Sequence, residues 1–172
     1  MMIINEKASA FEYVVHGLAD ELFMRSKVPM TKQEVRSVSI SKLQPKTTDL
    51  IYDIGAGTGS CSIELALLAR KGKVYAFERN PVAVELLGKK ELFAVTNVEV
   101  IAGEALENSK KVPAPDCVFV GGSGGDLCEM LDIIYSKNSA CRVVMNAITI
   151  ETLAEVTAYY NARKDYELEV VN

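Results

Sequence analysis

The sequence predicts a doubly wound α/β fold on a mostly parallel sheet, and three observations carry that prediction. Short apolar, β-branched runs recur from residue 48 onward. Stretches with helical spacing of apolar residues separate them. A glycine-rich turn, Gly55-Ala56-Gly57-Thr58-Gly59, follows the first run and opens a helix. Strands that alternate with helices pair in parallel through crossover connections, so a three-layer sheet with helices on both faces is expected.

Taken in order, residues 1–48 form an N-terminal helical segment, with helices expected over Ser9–Phe23 and Thr31–Leu43. Val28 precedes Pro29 and is pushed toward an extended conformation. Thr31 followed by Glu34 reads as a capping box. This segment either covers a sheet edge or forms a lid over a ligand site. Residues 49–172 form the core, with strands expected at Leu50–Ile54, Val74–Phe77, Val98–Ile101, Asp116–Val120, Arg142–Asn146 and Tyr166–Val171. Helices are expected at Ser60–Arg70, Pro81–Phe93, Asp126–Ser136 and Ile150–Ala162; Pro81 suits a first helical turn and Asn80 its cap. No repeat, low-complexity tract or linker interrupts the pattern, so residues 1–172 are expected to form one domain.

Composition narrows the function. Of 172 residues, 49% are hydrophobic and 24% charged, the balance of a soluble globular protein. No apolar run approaches the ~20 residues that span a bilayer. The opening MMIINEKASAFEYVV, broken by Asn5, Glu6 and Lys7, lacks the order of a secretory signal, so a cytoplasmic protein with no membrane partner is expected. Cys61, Cys117, Cys128 and Cys141 show no C-x-x-C spacing and read as buried reduced thiols. With His16 the only histidine, neither a metal site nor a His-assisted nucleophile is expected. A net charge of −4 argues against nucleic acid as a partner.

In the glycine turn the third glycine comes one residue too early for the dinucleotide spacing G-x-G-x-x-G. Asp53, two residues before Gly55, would repel a pyrophosphate and attract a cation such as the α-ammonium of a methionyl group. Glu78, with Arg79 beside it, ends the second strand, where an acid can accept both ribose hydroxyls. Gly103-Glu104-Ala105 follows the third strand, where a small residue and a backbone amide can border an adenine. Each residue also has a local reading: Asp53 as a turn cap, Glu78 as a charge paired with Arg79, Glu104 as an N-cap. Together, at the ends of successive strands, they point to S-adenosylmethionine.

The fourth strand runs into Gly121-Gly122-Ser123-Gly124-Gly125. The Asn or Asp, prolines and aromatic that clamp a base in amine methylation are missing there. A stretch nearly without side chains leaves room for a bulky acceptor, and its amides can bind carboxylates; a tight turn is the alternative, although it needs fewer glycines.

The segments VPMTKQEVR (28–36), DIGAGTGSCSIELA (53–66), ERNPVAVE (78–85) and FVGGSGG (119–125) resemble the decarboxylating precorrin methyltransferases of cobalamin biosynthesis, over residues 18 to 172. The resemblance implies methylation of C-15 of precorrin-6B or its cobalt form, with loss of carbon dioxide from the ring C acetate, by a homotetramer. It implies that Thr31 contacts the donor, Gly55 through Gly59 form the loop, Glu78 holds the ribose and Ala105 lies beside the adenine. The family usually has Asp where Glu104 stands. Its sheet has seven strands, and this chain ends at the sixth expected one. For such a polycarboxylate, Lys27, Lys32 and Arg36 would form a basic rim, unless they are solvated helix charges. Asn146 and Thr149, after the fifth strand, would face the acceptor by topology. Methyl transfer from a sulfonium needs alignment more than a protein nucleophile, and none is expected. The alternatives are an RNA or protein methyltransferase and a donor-binding module without activity.

Overall fold

Every residue of strand β1 (Leu50–Ile54) except the first is buried, which a strand achieves only when both faces of its sheet are covered. A computed structural model describes residues 16–24, 27–88, 93–122, 125–163 and 165–171 of the chain. In it β1 is flanked by β2 (Lys73–Glu78) and β4 (Cys117–Val120), with β3 (Val98–Ala102) outside β2 and β5 (Arg142–Met145) outside β4. All four pairings are parallel, in the order β3-β2-β1-β4-β5. The order reverses between β1 and β4, which opens a crevice at the carboxyl ends of those two strands.

Strand side chains alternate between two apolar layers. Ile51, Val74, Ala76 and Phe119 pack beneath α1 (Gln33–Leu43), α2 (Ser60–Leu68) and α3 (Pro81–Leu87). Tyr52, Ile54, Phe77, Val118 and Val120 pack beneath α5 (Leu127–Lys137) and α6 (Ile150–Asn161), with Leu106 of the short α4 (Ala105–Ser109) joining them. The parity of β1 sends Asp53 to the α2 face. Asn80 caps α3 by accepting from the Val82 amide at 3.0 Å, and Pro81 fills the first turn. None of the described helices is long and apolar enough to cross a membrane.

Five of the six expected strands and all four expected core helices form, most with ends shifted by one or two residues; the helix expected to reach Phe93 ends at Leu87 with Gly88 as its C-cap, and residues 89–92 lie outside the described residues. Three expectations are corrected. Residues 9–15 of the first expected helix lie outside the described residues, and its remainder holds only a 3-10 turn, Asp20–Leu22. There Gly17 has φ +96° and the amides of Gly17 and Leu18 donate to the Glu64 carboxylate rather than to a helical ladder. Thr31 does not cap α1: Lys32 is the N-cap without a side-chain bond, while Thr31 pairs with Cys61. Tyr166–Val171 is no strand: it joins no ladder with β5, and instead Tyr166 packs on Tyr135 at 4.2 Å between ring centres and Leu168 joins the α5–α6 core.

Leu131 on α5 is fully buried in this second layer. Leu131→Ala should destabilise the chain by about 2–5 kcal/mol, read as a lowered urea midpoint at unchanged slope; a loss under ~1 kcal/mol would mean that the layer is loosely packed.

Candidate active site

The turns at the carboxyl ends of the strands are hydrogen-bonded to one another. The Gly55 and Ala56 amides both donate to the Phe77 carbonyl at 3.1 Å, Gly103 donates to the Glu78 carbonyl at 2.9 Å, Gly121 to Ile54 at 2.8 Å and Asn146 to Val120 at 3.0 Å. Between these turns lies a cavity of about 540 Å³. Gly55 through Gly57, Glu78 through Asn80 and Gly103 through Leu106 form its inner wall. Gly121, Gly122, Asp126 and Met130 form the side toward α5, and Val28 through Lys32, with Val35, close it from the N-terminal segment.

The glycine turn fits because two of its glycines have no side chain to place. Gly55 has φ +73°, and a Cβ there would stand 2.6 Å from the Gly122 carbonyl oxygen. A Cβ on Gly59, at φ +82°, would stand 2.3 Å from Leu87. Backbone from β1 and β4 therefore meets directly across the crevice.

Glu78, 9% exposed, uses both carboxylate oxygens at the inner wall. One accepts from the Gly57 amide and the other from the Asn80 amide, each at 2.8 Å. A carboxylate has about four acceptor sites, so capacity remains for a ligand diol. Arg79 and Glu104 pair with each other at 3.4 Å at the rim, each 60% exposed. Ala105, the first residue of α4, also lines the cavity.

Of the loop amides, Gly55, Ala56, Gly57 and Gly59 are all spent on protein acceptors. The turn is thus not a nest of free donors for a pyrophosphate. The exclusion of a dinucleotide stands on these amides rather than on Asp53. That side chain is fully buried, does not line the cavity and accepts from the Ser62 hydroxyl of α2. Its other oxygen, Oδ1, and the Thr58 hydroxyl, also buried, have no hydrogen-bond partner. Neither residue lines the cavity, so Asp53 is not placed to meet a ligand's ammonium there, contrary to the expectation from sequence.

At the acceptor side the expectations divide. Lys32 lines the cavity, 58% exposed and 3.4 Å from Asp20. Arg36 does not: it is fully buried and bonded to Glu64, so it is no part of a basic rim. Lys27 is exposed but away from the cavity. Asn146 lines the cavity and accepts from the Ser39 hydroxyl at 3.0 Å. Thr149 instead caps α6, accepting from the Thr152 amide at 3.2 Å. Gly121 and Gly122 line the cavity, Gly125 sits beyond it with φ +107°, and Ser123 and Gly124 lie outside the described residues. Sequence reasoning missed Met30, Val35 and Ile148. Val35 is 48% and Ile148 93% exposed at the cavity's mouth, and the available signal was an apolar residue on a polar helix face and another in a polar loop. Among the described residues no group of three His, Cys, Asp or Glu could hold a metal ion.

Burial pushes the Asp53 carboxyl up to about 7, the Ser62 hydroxyl opposing the rise and the Glu78 charge adding to it. An unfolded aspartate titrates near ~4, so the folded chain holds this proton more tightly. The stability this lends is full below the unfolded value and is lost as pH climbs from about 4 to about 7. Asp53→Asn cannot ionise, and its melting temperature should gain on that of the parent chain as pH rises through this window. A gap that stays constant with pH would show that Asp53 does not titrate there.

Comparison with known proteins agrees with this geometry. The precorrin methyltransferase domain family model matches residues 21–169. A probable decarboxylating cobalt-precorrin-6B C(15)-methyltransferase of Sulfolobus acidocaldarius is 40% identical over 162 residues, covering 91% of this chain and 83% of that protein. The decarboxylating cobalt-precorrin-6B C(15)-methyltransferase of Salmonella typhimurium is 41% identical over 146 residues, covering 83% and 74%. The crystal structure of a precorrin-6y C5,15-methyltransferase from Geobacter metallireducens superimposes with a TM-score of 0.86 at 37% identity, covering 93% of this chain and 86% of that one. With a doubly wound sheet, a glycine turn closed on Glu78 and relatives at this identity along most of its length, the chain belongs to the precorrin methyltransferase domain family.

Proposed function

We propose that the chain methylates C-15 of cobalt-precorrin-6B, with loss of carbon dioxide from the ring C acetate, using S-adenosylmethionine. The single observation that carries the donor assignment is the glycine turn whose amides are already bonded within the protein and which is closed on Glu78 at the cavity wall. When bound, the donor supplies an electrophilic methyl on a sulfonium that leaves as a neutral thioether. Glu78 would take the ribose hydroxyls, Gly103 and Ala105 would border the adenine, and Thr31 would close the donor from the N-terminal side. The work of the protein is to align these groups and keep water out; no side chain is assigned as nucleophile.

The acceptor end supports a large, flat, acidic substrate. Gly122 has open space around the position of a Cβ, Val35 and Ile148 offer apolar surface at the mouth, and Lys32 offers a cation for a peripheral carboxylate. The overall charge of −4 speaks against an RNA acceptor. The outer edge of β5 carries no strand partner among the described residues, which supports a homo-oligomer. Buried thiols at Cys61, Cys117 and Cys141 suit the reducing cytoplasm, where we place the activity.

Incubated with cobalt-precorrin-6B and S-adenosylmethionine, the chain should yield a product that has gained one methyl and lost one carbon dioxide by mass spectrometry. Methyl transfer to RNA with no change in the macrocycle would overturn the assignment. Ile148→Asp should raise the acceptor's KM by about tenfold, as one lost apolar contact plus an added charge would, and leave the donor's KM unchanged. An effect on the donor alone would move the acceptor platform elsewhere.

A further inference from the structure

Among the described residues of the stretch 17–32 a single 3-10 turn is the only regular structure, yet Val28 through Lys32 form a wall of the donor cavity. The wall is close: a Cβ on Gly57 would stand 2.9 Å from the Pro29 carbonyl oxygen. The strap needs to be held in place, and two fully buried charges outside the cavity do so. Glu64 of α2 accepts from the Gly17 amide at 2.6 Å, the Leu18 amide at 3.0 Å and Arg36 Nε at 2.5 Å. Arg36 of α1 donates from Nη1 to the Thr31 carbonyl at 2.6 Å and to Asp20 at 3.2 Å, and from Nη2 to the Leu18 carbonyl. Its guanidinium lies 4.8 Å from the centre of the Phe23 ring, which stacks on Phe93.

We propose that Arg36 and Glu64 are positioning residues for the donor: without touching it, they set the Val28–Lys32 end of the strap against the glycine turn and so fix donor affinity. This rests on the donor assignment made above. A buried ion pair is a poor device for stability alone, since well-packed apolar residues often serve equally well. What the pair adds is direction. Its hydrogen bonds reach the strap at Gly17, Leu18, Asp20 and Thr31, tying both of its ends to α1 and α2. Lysine would keep the charge but has a single head, and cannot reach Glu64, Leu18 and Thr31 together in the fork geometry of Arg36.

The test is calorimetric titration of the full chain with S-adenosylhomocysteine, beside initial-rate kinetics. Arg36→Lys, and the charge-free pair Arg36→Met with Glu64→Leu, should each weaken binding by about tenfold or more, as misplacement of a binding wall does. The donor's KM should rise with kcat little changed. Leu131→Ala, which loosens the opposite layer, should bind the probe as the parent does despite its lower melting temperature. Parent-like affinity in Arg36→Lys, or in the double variant, overturns the inference, as does an equal loss in Leu131→Ala. A parent chain that does not bind the probe overturns instead the donor assignment beneath it.

Discussion

The carbonyl of Phe77 accepts two amide protons, from Gly55 and Ala56, and the architecture of the site depends on that shared contact. It folds the first turn back over the end of β2, so the loop faces the cavity with its own donors already used. Glu78, the next residue, then completes the closure by taking the Gly57 amide. A turn closed in this way offers acceptors and van der Waals surface rather than a cradle for anions. The same closure brings Gly55 against Gly122, so two strands that diverge beyond their ends are joined where the sheet reverses direction.

The two ends of the cavity differ in kind. The inner end is built from backbone groups and one buried carboxylate, all tied to strands and therefore rigid. The outer end is built from Val35, Ile148 and Lys32, exposed side chains on α1 and on the loop after β5. A small, invariant donor suits the first, while a wide acceptor that must enter and leave suits the second. Asn146 stands between the ends, its amide on β4 and its side chain on Ser39 of α1, linking the mouth to the sheet.

Strands and core helices were legible because burial on both faces leaves a continuous apolar run that needs no partner to be recognised. The placement of Glu78 and Ala105 at strand ends was legible for the same reason, since a strand's end fixes where the next residue points. What was not legible depends on distant partners. Thr31 carries every local mark of a cap, but pairs with Cys61 across the helix layer. Arg36 sits in a basic run that reads as a rim, and only the fold shows Glu64 reaching it across 28 positions. Asp53 was read as facing the ligand because it precedes the loop, whereas the parity of β1 turns it toward Ser62. Tyr166 and Leu168 alternate as a strand would, and aromatic stacking on α5 decides otherwise.

Cys61, the second residue of α2, lies behind the glycine turn, pairs with Thr31 of the cavity wall and is 3% exposed. Burial, with Asp53 adding, drives its thiol far above the ordinary range, so sulfur stays protonated. With the proposed donor in the cavity, a thiolate at this position would be a rival acceptor for its methyl group, and burial keeps the sulfur in the weakly nucleophilic thiol form.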